Sequence, residues 1–461
     1  MKVLADTKGV GRFVKSRIAV TWVALEVAAL LFLAAAAVPG KLAGSEQPLI
    51  QGPMVGQQAG PAAASERAPG SSSQCPPLDP PSGSTEAIST ESALRNRAYN
   101  APDGTTLLVA PGTYNMGGYI QIVNQGVSIR GNTGNRDDVI LDFGGMVGGH
   151  FGILVDADDV TIADLTIRNS TDHGVSISGN DRPVLYNLHV IDIYDQLIKV
   201  NPVGDGSEDG LLACSRLEYT TAAPDEYTNG ISAHSAHRWT VRDNLWHRIR
   251  TPGNTPVPTI LFWSGSTDTV VERNLLVDCY QGISFGNASH GSGDHVGGVV
   301  RNNMIYASMT HDIVIEMVHA TGWLVANNTA LLLNPDAGLT WGMEARFADT
   351  SGEFAYNLTN MSIWGNRDGA SGTLTGNLTS AASDWFIDAA SADLHLAPTA
   401  MSAIDGAVTL SAVKDDYDGG SRPKGTAPDV GADEYGSPQG FRVFVAMVIR
   451  SLLIADRPGL R

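Results

Sequence analysis

Short runs in which apolar and polar residues alternate fill most of this chain, with turn residues between them. Such period-two runs predict β-strands, each with one buried face. Within them an Asn-like residue followed by an apolar one keeps returning: IADLTI, LYNLHV, RDNLWH, ERNLLV, RNNMIY, ANNTAL, AYNLTN and TGNLTS. The recurring positions are Asp164, Asn187, Asn244, Asn274, Asn303, Asn328, Asn357 and Asn377, and LLACSRL places Cys214 in the one double-length gap. The spacings are then 23, 27, 30, 30, 29, 25, 29 and 20 residues. Units repeating at one approximate period indicate a solenoid. Two or three strands per unit, tight polar turns and no helical pattern predict a parallel β-helix of about nine or ten rungs. Asn side chains stacked one per rung are expected to form an amide ladder, each bonding its neighbour and the turn backbone.

Side chains alternate inward and outward along each strand. One strand per rung reads apolar–x–apolar: GVSI, LIKV, GISA, TILF, GISF, DIVI and MEARF. The expected outward columns are Ser176, Lys199, Ser232, Leu261, Ser284, Val314 and Glu344, and then Ser178, Asn201, His234, Trp263, Gly286, Glu316 and Arg346. This puts Lys199, His234, Trp263, Glu316, Glu344 and Arg346 on one face. Lys199 is the only lysine between Lys41 and Lys414. A partly desolvated lysine can act as a base, whereas a solvated one only covers strand surface. His234 suits proton transfer near neutral pH, and an outward Trp263 offers a sugar ring a stacking surface. Asn201 and Ser232 flank them as substrate-binding candidates. Glu316 and Glu344, expected on adjacent rungs in neighbouring columns, form either a surface ion pair with Arg346 or a catalytic carboxylate pair. No metal site is assigned. Ca²⁺ is a possible cofactor only through turn acids such as Asp172 and Asp195 beside His173, or DDYDGG at 415–420, which lacks a full calcium-loop pattern.

Composition narrows the setting. A net charge of −18 and a pI near 4.9 exclude general nucleic-acid binding, which needs a basic footprint. Residues 1–17 are basic, and 18–38 form an apolar run with only Thr21 and Glu26 as polar breaks. A signal peptide or a retained membrane anchor is expected over 1–38, with export of the remainder. Residues 39–85, rich in Pro, Gly, Ser and Ala, read as a disordered linker. The β-helix is expected over 86–389, a C-terminal segment over 390–436 and an amphipathic tail over 437–461. Three cysteines, Cys75, Cys214 and Cys279, are too few for a disulfide scaffold, and Cys214 and Cys279 read as free, buried small residues.

The entry stretch APDGTTLLVAPGTYNMGGYIQI (101–122) and the segment containing DDYDGGSRPKGTAPDVGADEYG (to 436) resemble the right-handed parallel β-helix proteins of the pectate-lyase-like superfamily. The resemblance spans about residues 95–436. It implies a fold and leaves the activity open, because that superfamily holds lyases, hydrolases, epimerases and non-enzymes. The polygalacturonase set, the epimerase Asp-Pro-His-Asp motif and the pectate-lyase arginine motif are absent. In the lyases resembled, a Lys or Arg removes the proton alpha to a uronate carboxylate. The leading expectation is therefore a monomeric, exported polysaccharide lyase using Lys199 or His234 as base, with Arg346 holding a carboxylate and Glu316 or Glu344 orienting or protonating. The alternatives are a non-catalytic glycan-binding or structural surface solenoid, and a glycoside hydrolase using its paired carboxylates.

Overall fold

A computed structural model describes residues 75–146, 151–255, 257–333 and 341–437. The expected signal peptide or membrane anchor over 1–38, read as an N-terminal apolar helix, most of the linker and nearly all of the tail lie outside these residues. The described chain winds into an all-β, right-handed parallel solenoid of about nine turns. Coils stack in register, Ile231 opposite Ile260 and Ile260 opposite Ile283. Their inward Ile, Val, Leu and Phe side chains form one continuous core that also buries Trp239, Trp246 and Trp323. Among the described residues no helix is long and apolar enough to cross a membrane. The mostly polar helix Glu91–Asn100 has Thr90 as N-cap, accepting from Ala93 N, and buries only Leu94 and Ala98 in the core.

The asparagine ladder is present, with a corrected register. Asn244 Nδ2 donates to Asn274 Oδ1 (3.0 Å), Asn274 to Asn303 (3.0 Å), Asn303 to Asn328 (2.9 Å), Asn328 to Asn357 (3.0 Å) and Asn357 to Asn377 (2.9 Å). Asp164, Asn187 and Cys214 belong instead to the column one residue earlier, with Asp243, Arg273, Asn302 and Asn327. All of these have φ between 51° and 60°. The ladder position in those first coils is held by Leu165, Leu188 and Ser215. Asn and Asp both tolerate the left-handed region, so the turn column and the ladder column read alike in sequence.

Cys214 is not free. It forms a disulfide with Cys75, 139 residues away, while Cys279 is the buried free thiol. The bond holds the end of the Pro-rich segment against the coil, where Arg130 Nη1 also donates to Asp79 O (2.7 Å). Cys75→Ser is expected to destabilise the chain by about 2–4 kcal/mol. An unfolding temperature insensitive both to this change and to reductant would argue against the bond.

After the last coil, residues 381–437 fold back over the outside of the strands that include Leu245–His247 and Met304–Ala307. Phe386, Leu394, Leu396, Tyr417 and Val430 cover Leu245, Leu275, Met304 and Tyr306. Arg422, fully buried, anchors this layer through Glu434 Oε1 (2.6 Å) and the carbonyl of Gly431 (2.8 Å). The candidate chemistry is thereby left to a different sheet.

Candidate functional site

That sheet has ten parallel strands, running from Ile120–Ile122 to Ile363–Arg367. Pairing places Gln121, Leu154, Ser176, Lys199, Ser232, Leu261, Ser284, Glu316, Glu344 and Trp364 in one outward column. The neighbouring column contains Asn201, His234, Trp263, Val318 and Arg346. Glu316 therefore replaces Val314 in the first column and faces Glu344 directly. The error was a slip of two residues. Three successive apolar residues, Ile313–Ile315, make the in–out pattern ambiguous along the strand. Ile315 and Met317 take the inward places opposite Ile283 and Phe285.

The expected single site separates into two. Lys199 and Glu316 are four rungs apart, ~19 Å at ~4.8 Å per rung. At the first centre, Lys199 Nζ lies 3.0 Å from His234 Nε2. His234 packs on Trp263 with ring centroids 4.3 Å apart, and Trp263 packs on His290 at 4.5 Å. His290 Nδ1 is 2.8 Å from Asp294 Oδ1, and Asn201 Nδ2 donates to Ser176 Oγ at 3.0 Å. His173, one rung before Lys199, is buried between Asp172 (3.5 Å) and Asp195 (3.8 Å). Burial, then the Lys199 ammonium, holds His173 and His234 well below the usual imidazole range, so both are neutral near pH 7. Lys199 and His234 are only 2% and 4% exposed, and Tyr227 on the 219–230 loop has its ring 5.9 Å from Nζ. Several buried polar atoms here have no hydrogen-bonding protein partner: His173 Nδ1, Gln196 Oε1, Asn229 Oδ1, Ser232 Oγ and Trp263 Nε1.

The second centre is an ion network. Arg367 Nη1 donates to both oxygens of Glu344 (2.6 and 2.5 Å), and Arg346 reaches Glu316 (3.3 Å) and Asp368 (3.0 Å). Arg367 stacks 4.3 Å over Trp341. Burial, then the neighbouring Glu344 charge, raises the Glu316 carboxyl toward neutrality against the pull of Arg346, and burial raises Asp312 to about 6. A carboxyl that keeps its proton in the fold at a pH where the unfolded chain has lost it stabilises less as pH rises. Glu316→Gln is therefore expected to gain a few degrees in Tm over the parent at about pH 8, and less at about pH 5. An equal difference at both pH values would remove burial of the Glu316 charge as the cause.

Two groups could be read as metal ligands. Asp172, His173 and Asp195 bring three ligand atoms within 4.8 Å of one another. The unpartnered, buried Nδ1 of His173 fits a divalent cation that accepts nitrogen and oxygen donors. Ca²⁺, which takes 6–8 oxygens, fits less well. His395, Asp418 and Asp433 are also close together. Here, however, both imidazole nitrogens face carboxylates, Asp393 at 2.6 Å and Asp418 at 3.1 Å. Burial opposes the charge, yet these bonds raise His395 to about 10, making it a bridging imidazolium rather than a ligand. DDYDGG supplies Asp418 to this network.

His173, His290, Asp294 and the Asp172–Asp195 pair as site walls were not singled out for catalysis by sequence reasoning. They sit in turns, off the strand pattern that revealed Lys199. Asp172, His173 and Asp195 lie just before strands of the same sheet, whereas His290 and Asp294 lie on the loop between Gln281–Phe285 and His295–Val296.

No family model matches the chain, and no curated protein matches it. Among solved structures, an alginate lyase from a Paenibacillus species is 19% identical, with 64% of this chain and 99% of that one aligned at a TM-score of 0.47. A pectate lyase is 16% identical over 74% and 90%, at 0.46. A surface adhesin of Streptococcus pneumoniae is 12% identical over 63% and 86%, at 0.34. Likenesses at this level do not bear on activity. The chain is a right-handed parallel β-helix, the architecture that its resemblance to the pectate-lyase-like superfamily implied.

Proposed function

We propose that this is an exported protein that cleaves a uronate-containing polysaccharide by β-elimination at Lys199. The observation that carries the reading is the set of unsatisfied buried polar atoms around the Lys199–His234 contact. Each such atom costs about 1–3 kcal/mol, and a fold keeps them together where a ligand completes their bonding. In its unprotonated form Lys199 Nζ takes the proton alpha to the uronate carboxylate. The electron pair forms the new double bond as the C4–O bond breaks, and the departing oxygen takes a proton. His234, neutral and 3.0 Å away, orients Nζ and is the alternative base. In this reading Trp263 Nε1 and Ser232 Oγ, buried without a protein hydrogen-bond partner, bind sugar hydroxyls. Asp172, His173 and Asp195 would hold a divalent cation able to neutralise the uronate carboxylate. Glu316, Glu344 and Arg346 act, in this reading, only on distant sugar units. The Cys75–Cys214 bond supports export, because disulfides persist in oxidising compartments.

The test is the ultraviolet absorbance of new unsaturated ends when the full chain meets alginate, pectate or chondroitin, with and without chelator. A rise marks elimination, and its loss in chelator marks a cation requirement. No rise on any of them sinks the lyase reading for those polymers. The burial of Lys199 favours a second reading, a non-catalytic glycan-binding solenoid in which Lys199 is a structural donor. Binding without product would select it.

A further inference from the structure

We infer that the N-terminal end of the same face carries a separate sugar-binding subsite, built from Tyr99, Tyr119, Arg95, Asn96, Asn100 and Gln121, which takes a pyranose unit of the polymer engaged at Lys199. The inference rests on the glycan reading and extends it to residues outside the Lys199 centre.

The helix Glu91–Asn100 sets the subsite up through its periodicity. Leu94 and Ala98, four residues apart, turn into the core. Ser92, Arg95, Asn96, Tyr99 and Asn100 therefore share the opposite stripe. This stripe faces Tyr119 and Gln121 across a depression of about 470 Å³. Tyr99 and Tyr119 are 50% and 40% exposed, which is uncommon for large rings grouped at one place on a surface. An aromatic face with planar amide and guanidinium donors at its edge is the chemistry that receives a sugar ring: the ring's C–H face on the aromatic, its hydroxyls on the donors.

The parts are held rigidly. Glu91 binds Arg95 on the helix and accepts from Gly117 N (3.1 Å), tying the helix to the loop that carries Tyr119. A Cβ at Gly118 would stand 3.3 Å from Arg95 Nη1, so that loop lies close against the guanidinium. Gln121 Nε2 donates to Asp156 Oδ2 at 2.6 Å.

Direction along the sheet supplies the occupant. Gln121 stands in the same outward column as Lys199, three rungs earlier through Leu154 and Ser176. Three rungs are ~14 Å, a span covered by a few linked sugars. A chain lying along the column with one bond at Lys199 places a later unit over Tyr99 and Tyr119.

Calorimetric titration of the full chain with alginate and polygalacturonate oligomers, from dimers to decamers, tests this. Affinity is expected to step up once the oligomer is long enough to span both places. The Tyr99→Ala/Tyr119→Ala double variant is expected to lose that step by roughly tenfold or more, because truncating aromatic anchors removes most of such a contact. The Tyr99→Phe/Tyr119→Phe variant keeps it. These side chains are exposed, so the variants remain folded, and Tm verifies this. A length step of equal size in the Ala variant overturns the subsite and leaves the Lys199 reading standing. A step lost in the Ala variant without any unsaturated product supports the subsite and removes the lyase. No binding of either oligomer series overturns the subsite.

Discussion

Asn303→Ala is expected to destabilise the coil by about 3–5 kcal/mol. Asn303 Oδ1 accepts from both Asn274 N (2.9 Å) and Asn274 Nδ2 (3.0 Å). Its own Nδ2 donates to Val271 O (2.9 Å), Arg301 O (3.0 Å) and Asn328 Oδ1 (2.9 Å). The residue is fully buried, so no water replaces these partners when the amide is removed. Truncation strands donors on Asn274 and acceptors on Val271 and Arg301 at once, and it opens a gap in the middle of the ladder. Asn377→Ala, at the partly buried end, strands fewer groups and is expected to cost less than half as much. Chemical denaturation of both variants checks the order. Equal, small losses would mean that the ladder follows the coil instead of holding it.

Lys199→Ala is expected to reduce uronate elimination by ~10²–10⁴-fold, the contribution of a positioned base. Structure and chemistry can be separated by a second variant. Lys199→Arg keeps a cation beside His234 but cannot lose its proton in the working range, so it should fold like the parent and remain inactive. Removing the ammonium also relieves one of the causes that depress His234 and His173. In Lys199→Ala both imidazoles should therefore titrate nearer their ordinary range, which NMR of the ring protons reads directly. Full activity in either variant removes Lys199 from the reaction. A collapse of Tm in both would mark it as structural.

Much of this was legible in the chain. Each coil is built from local strands and turns, and its burial alternates with period two, so the repeat by itself determined a stacked parallel solenoid and a face bearing Lys199, His234 and Trp263. From Asn244 to Asn377 it also determined the ladder, because an asparagine returning at one period has one economical use in a stacked fold. What it could not decide was register wherever neighbouring residues satisfy the same rule. Asn187 and its neighbour Leu188, like Val314 and Glu316 two residues on, both fit their patterns, and only pairing with the next coil chose between them.

Three features were decided by tertiary structure alone. The Cys75–Cys214 bond joins residues 139 apart and depends on where the strap crosses the coil. The direct facing of Glu316 and Glu344 depends on the true strand register. The surroundings of Lys199, with His173 from the previous turn, His234 on the next strand and Tyr227 over Nζ, come from turns whose length varies between repeats. Strand periodicity carries no information about where such turns end. The sequence alone therefore determined which residues share a sheet, and packing determined which of them meet.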